Sequence, residues 1–195
     1  MHLKDLTKAV IVAPKTLGPL GHKAVQVLAE EVERRSRVSW PILDDWPETH
    51  QGVIALGLVN HPDTLPTELR NHVKEDSTAE GFQISAHSGT NGDFHVLLGG
   101  HDLRGLLYAV GRLLRELRTS RDRVRLPEDF SVHTSPAQRL RGHQLGYRPK
   151  TNAYDAWNTD TWDQYMRDLV LFGCNAIEVI PPKSDDDADS PHFPK

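Results

Sequence analysis

The sequence predicts an α/β protein in two parts: a small domain with helices packed on a mixed sheet, then a strand–helix–strand unit. Three observations carry this. Ala9–Ala13 (AVIVA) and Gly52–Leu58 (GVIALGL) are short continuous apolar runs, the pattern of strands buried on both faces. A hairpin signal, SGTNGD at Ser88–Asp93, leads into Leu103–Leu117, where Leu103, Leu106, Leu107, Val110, Leu113, Leu114 and Leu117 make a wide apolar helical stripe. Residues 139–182 then read strand, long polar loop, helix, strand, which gives a right-handed βαβ unit with parallel strands.

Taken in order, Ala9–Ala13 is the first buried strand, and the loop from Pro14 to Gly21 is marked by proline and glycine. Residues 22–35 form an amphipathic helix with Val25, Leu28, Ala29 and Val32 on one face. Val38–Trp40 is a short strand ending at Pro41, and Gly52–Leu58 is the next. Pro66–Asp76 reads as a short helix, since Leu65, Leu69 and Val73 are spaced four apart. Gly81–His87 alternates as a half-buried strand, and Phe94–Leu98 returns beside it after the turn. Asp102 caps the leucine-striped helix, with Arg115 and Arg118 near its carboxyl end. The first and second helices on one sheet face make a two-layer domain over residues 1–120. Residues 121–138 are a mixed, proline-marked connector with one edge strand, and residues 139–195 form the second part. There Arg139–Gly146 is a strand. Asp160 caps a helix carrying Trp162, Tyr165, Met166, Leu169 and Phe172 on one face, and Gly173 stops it. Ala176–Ile180 is the second strand, ended by Pro181 and Pro182.

The chain has 195 residues, 37% hydrophobic and 26% charged, with a formal net charge of −4. This suits a folded chain rather than a disordered one. Without a basic excess, no nucleic-acid partner is expected. No apolar run approaches the ~20 residues of a membrane span, and the start is a poor signal peptide. The expectation is a cytoplasmic protein with no membrane partner. The single cysteine, Cys174, reads as a buried inert thiol. The 11 histidines are scattered without an HExxH-type pair, so no zinc site is expected. Asp185–Asp187 lacks EF-hand spacing and reads as a solvated loop.

The run RLRGHQLGYR at residues 139–148 resembles the first barrel strand of carbohydrate-cleaving TIM barrels, above all β-hexosaminidases. DQYMRDLVLFGCNAIEVI at residues 163–180 resembles the helix and second strand that follow there. Residues 81–117, with FHVLLGGHDLRGLLYAVGRLL, resemble the end of the small α/β domain before the barrel in hexosaminidases and α-glucuronidases. The resemblance runs from about Val10 to Pro182. It implies a mixed-sheet α/β domain followed by the first βαβ unit of an incomplete TIM barrel, since a whole barrel needs eight such units. The implied function is part of a hydrolase acting on O-glycosidic bonds, with no cofactor. Its partner would be a carbohydrate substrate, and its catalytic carboxylates would lie beyond residue 195.

Ligands meet βαβ units at the carboxyl ends of the strands, which singles out His143, Gln144, Tyr147 and Arg148, with Asn152, Asp155 and Trp157 in the loop above. In the hexosaminidase pattern the arginine of the Arg-Gly pair binds sugar hydroxyls, and this role falls on Arg141; the alternative is an ion pair at the barrel floor. Alternation sets His143 on the side of Arg141. Tyr147, Arg148, Tyr154 and Trp157 offer flat faces and donors for a sugar, or else pack the loop. Glu178 sits on the expected lumen side with Ala176 and Ile180, to touch substrate or pair with Arg141. The substrate-binding set is therefore Arg141, His143, Tyr147, Arg148, Trp157 and Glu178. The departure HQLGY after the Arg-Gly pair sets the chain apart from N-acetylhexosamine-specific patterns. Two other readings stand beside this one. One is a non-catalytic carbohydrate-binding or accessory module. The other is a nucleotide-binding protein using LLGGHDLRG at residues 97–105, whose glycines fit neither phosphate-loop spacing.

Overall fold

In the computed structural model, which describes residues 2–49, 51–89, 92–145 and 157–179, the chain divides into two units, residues 1–137 and 138–195. The first unit is built on a six-stranded mixed sheet. Strands β2 (Val10–Val12), β3 (Ile42–Leu43), β4 (Gly52–Leu58) and β6 (Phe94–Gly100) run parallel. Strands β5 (Phe82–Ser88) and β9 (Ser131–Thr134) complete it by antiparallel pairing, in the order β3-β2-β4-β6-β5-β9. The four strands expected for this sheet from their apolar patterns are all in it.

Both sheet faces are buried, which explains why GVIALGL has no polar alternation. On one face Val12, Val53, Ala55 and Leu97 form a buried cluster with Leu65 and Leu69, against which Val10, Trp46 and Val73 pack. Alternation sends Ile11, Ile54, Leu56, Val96 and Leu98 to the other face, and all are fully buried. Helix α2 (Leu103–Glu116) packs on β4, β5 and β6, and helix α1 (Gly18–Ser36) packs beside α2. Glu31 of α1 is fully buried. Its Oε2 accepts from Arg34 at 2.8 Å and from Arg35 at 2.8 and 3.1 Å, while Arg35 also donates to the Leu114 carbonyl at 3.3 Å. A buried carboxylate is tolerable only with such partners.

Three expectations change here. The second sheet face is covered as well, so the unit has three layers, and its cover is a 3₁₀ segment, Thr67–His72, rather than an α-helix. The spacing of Leu65, Leu69 and Val73 still lands all three on the sheet. The strand expected at Val38–Trp40 is Ile42–Leu43 instead. Trp40 is 3% exposed and its indole N–H donates to the Leu6 carbonyl at 2.8 Å, so burial of the ring takes precedence over pairing.

Residues 119–138 contain more strand than the sequence suggests. Strands β7 (Arg118–Ser120) and β8 (Arg123–Pro127) join β1 (Leu3–Asp5) in an antiparallel sheet of order β1-β8-β7. Strand β9 is the edge of the main sheet.

Asp102 caps α2 as expected. Its Oδ1 accepts from Gly105 N at 2.8 Å, and its Oδ2 accepts from Glu80 N at 2.7 Å. Gly105 lies so close to the Gly81 backbone that an added Cβ would stand 2.0 Å from the Gly81 carbonyl oxygen. Only glycine fits this crossing.

In the second unit, strands β10 (Gly142–Leu145) and β11 (Ala176–Val179) pair in parallel around helix α3 (Thr159–Leu171). Asn158, not Asp160, is its N-cap, accepting from Thr161 N at 2.9 Å. Gly173 takes φ 96° and stops the helix, as its sequence position suggests. Among the described residues no helix is long and apolar enough to cross a membrane.

Candidate functional site

The register of the second unit fixes which side chains share a face. Gln144 pairs with Glu178 and His143 with Ile177. Paired residues of parallel strands point the same way, so Gln144 and Glu178 share one face, and both are exposed. His143 is on the other face, where its Nδ1 lies 2.8 Å from the Tyr165 hydroxyl of α3. Burial holds the Tyr165 phenol above its usual pKa, with a smaller contribution from Cys174. Tyr165 thus stays neutral beside the imidazole.

Arg141 directly precedes β10 and binds main-chain carbonyls. Its Nε donates to Gly173 O at 2.8 Å and its Nη1 to Gln138 O at 2.7 Å. Its amide donates to Asn175 Oδ1 at 2.9 Å, while Asn175 N donates to the Arg141 carbonyl at 2.8 Å and Asn175 Nδ2 to the Arg139 carbonyl at 2.8 Å. This clasp joins the amino ends of the two strands. The expectation that Arg141, His143 and Glu178 share one lumen side is therefore corrected: His143 turns to the helix, Arg141 to the loop before β11, and Glu178 stands with Gln144.

Trp157 forms an aromatic group with the start of α3. Its ring lies 5.2 Å from Trp162 and 5.1 Å from Tyr165. Tyr147 and Arg148 lie outside the described residues, as do Asn152, Tyr154, Asp155 and Asp185–Asp187. Cys174 is half-buried. Sequence reasoning noted Gln144 on the rim without weighing it as a contact, and took Tyr165 only as apolar helix surface. The phenol hydroxyl, which needs a partner when covered, was the signal for the second.

An amide and a carboxylate side by side can grip a pair of hydroxyls. They do not form an acid/base pair across a bond, which needs two carboxyl groups about 5–5.5 or 6.5–9.5 Å apart.

The first unit has a groove of about 390 Å³ at the carboxyl ends of β2 and β3, lined by Pro14, Asp44, Asp45, Trp46, Asp63 and Glu68 among others. It lies where strand order reverses about β2, the usual ligand crevice of open α/β sheets. Lys15 pairs with Asp44 at 3.1 Å on its rim. Metal-ligand donors also converge in this unit, at Asp76, His101 and His133. The LLGGHDLRG segment is no phosphate cradle: the carboxylate of Asp102 already occupies the amino end of α2, where a phosphate would bring the same charge.

These features define a mixed-sheet α/β domain followed by a parallel strand–helix–strand unit. No family model matches the chain, and no curated protein matches it. Solved structures of glycoside hydrolases do share the fold. A family 20 exo-β-N-acetylglucosaminidase from Vibrio harveyi, in an inactive mutant form, matches with TM-score 0.59 at 12% identity over 92% of this chain and 23% of its own. A Streptomyces plicatus β-hexosaminidase matches with TM-score 0.59 at 12% identity over 91% of this chain and 31% of its own. A family 115 4-O-methyl-α-glucuronidase with specificity for decorated arabinogalactans gives TM-score 0.59 at 12% identity, over 92% of this chain and 26% of its own. The chain thus spans about a quarter of the length of the solved proteins it matches. At this identity the likeness is one of fold.

Proposed function

We propose that this chain is the part of a carbohydrate-active hydrolase, cleaving O-glycosidic bonds, that precedes and opens its catalytic barrel. The observation that carries the reading is the order of parts. A mixed-sheet domain leads into a parallel β-α-β unit, and the likeness to three glycoside hydrolases extends over 91–92% of this chain. In this reading β10 and β11 are the first two barrel strands. Substrate contacts fall to Glu178, Trp157, Tyr147 and Arg148, to which the strand register adds Gln144. Arg141 and His143 hold in place the strands that carry them. The catalytic acid and its partner carboxylate lie outside residues 1–195.

The test is a panel of aryl β-N-acetylhexosaminides, glucuronides and glucosides. It is run on residues 1–195 and on a longer product of the same reading frame. Release of the aryl alcohol by the longer product alone is the expected result. Hydrolysis by residues 1–195 that disappears in Asp155→Asn or Glu178→Gln overturns the placement of the carboxylates. A longer product that cleaves none of the panel yet binds sugars supports an accessory carbohydrate-binding module instead.

A further inference from the structure

Three residues far apart in the chain meet at one end of the main sheet. Asp76 lies between the 3₁₀ segment and β5, His101 follows β6, and His133 is on β9. One donor atom from each lies within 4.8 Å of the others. His133 Nε2 is 3.1 Å from Asp76 Oδ2, and His101 Nδ1 is 3.6 Å from Asp76 Oδ1. A tetrahedral zinc ion with bonds of about 2.0–2.1 Å sets its ligand atoms roughly 3.3 Å apart, so these separations need little adjustment.

His101 supplies an independent observation. Its side chain is 1% exposed. Its Nδ1, the ring nitrogen that faces Asp76, is 3.0 Å from the Thr78 carbonyl. That carbonyl holds the ring in place, and an ion bound at Nδ1 takes the position of the proton shared with it. Asp76 is a ready anion: hydrogen bonds from the Thr78 amide and hydroxyl hold its carboxyl down at about 2.

We propose that Asp76, His101 and His133 bind one divalent transition-metal ion, zinc by preference. Two imidazoles and one carboxylate suit zinc and its neighbours, not calcium or magnesium, which take oxygen ligands. Three protein ligands leave a fourth position for water. His133, 40% exposed, forms the open side through which the ion enters. The ion ties the irregular stretch after His72 to the end of β6 and to the edge strand β9.

The experiment uses the full 195-residue chain, stripped with a chelator and titrated with Zn²⁺ by calorimetry and with Co²⁺ by visible absorption. The expected result is one tight equivalent, a four-coordinate cobalt spectrum, a raised melting temperature with Zn²⁺ and none with Mg²⁺. His101→Ala removes a core side chain and tests folding as well as binding. Asp76→Asn and His133→Ala, at more exposed positions, are therefore the deciding variants. Each should bind at least tenfold more weakly while keeping its far-ultraviolet circular dichroism. His72 and His87, whose rings lie 4.0 Å apart, are the control pair. Loss of the tight equivalent in His72→Ala/His87→Ala, or its persistence in both deciding variants, overturns the site. So does the absence of any tight equivalent.

Discussion

Replacing Asp102 with alanine tests how the amino end of α2 is fixed to the turn before β5. The two carboxylate oxygens serve different partners. Oδ1 accepts from Gly105 N at 2.8 Å and Oδ2 from Glu80 N at 2.7 Å. Loss of a helix N-cap costs about 0.5–2 kcal/mol. Loss of a hydrogen bond from a charged group costs about 1.5–3 kcal/mol. Asp102 is half-buried, so solvent recovers part of both, and about 2–4 kcal/mol remains. With a urea dependence of about 2 kcal/mol/M, the middle of the usual range, the midpoint should fall by about 1–2 M. An asparagine side chain would retain one acceptor oxygen and replace the other with a donor, so it can serve Gly105 or Glu80 but not both. Asp102→Asn should therefore fall between the parent and Asp102→Ala. Equilibrium urea unfolding followed by circular dichroism measures all three. A loss below about 0.5 kcal/mol for alanine, or equal losses for both variants, refutes the account in which both oxygens hold the corner.

Leu113→Ala should cost about 2–5 kcal/mol in the same assay, because Leu113 is fully buried where α2 meets the sheet; a loss under half a kcal/mol would mean the cavity is not there. Asp76 contributes to acid stability. Its carboxyl in the folded chain lies at about 2, below the ordinary 3.8, so its contribution is complete above about 4 and is lost as pH falls toward 2. Metal-free Asp76→Asn should show a flatter stability profile across that window, and an unchanged acid limb would contradict it. Arg141→Ala should weaken protection of the β10 and β11 amides in hydrogen exchange, because it removes the bonds to Gly173 and Gln138. Undiminished protection there would show that the clasp is idle.

The elements legible in the sequence were those with long, one-sided or two-sided apolar patterns. GVIALGL and the leucine stripe of α2 each carry enough apolar positions to fix element and burial together. The antiparallel β1-β8-β7 sheet was not legible. Its strands are short; Arg118, Thr119 and Ser120 of β7 are all exposed, and the alternation of β8, with Val124 and Leu126 buried, spans only five residues. At Trp40, tertiary burial of one ring decided where the strand began. In the candidate site, alternation correctly separated successive residues of β10, but it carries no sign. Which face looks toward α3 depends on Tyr165, 22 residues from His143. The Asp76, His101 and His133 donors were invisible for a similar reason. Asp76 and His133 are 57 residues apart in the chain, and only the pairing of β5 with both β6 and β9 brings them together.

The pairing of β1 with β8 has a kinetic side. Leu3 stands opposite Pro127 and Asp5 opposite Arg125, so β1 finds its partner only after some 120 further residues have left the ribosome. At roughly 5–20 residues per second, that delay is on the order of 6–25 s. Until then the amino-terminal segment has no ladder of its own, and β5 keeps an open edge until β9 emerges. The first unit should therefore gain its full cooperativity late and abruptly, once residue 134 is free of the exit tunnel. Ribosome-bound chains stopped shortly before that point should be cut readily by protease near β1, and chains stopped well beyond it should resist.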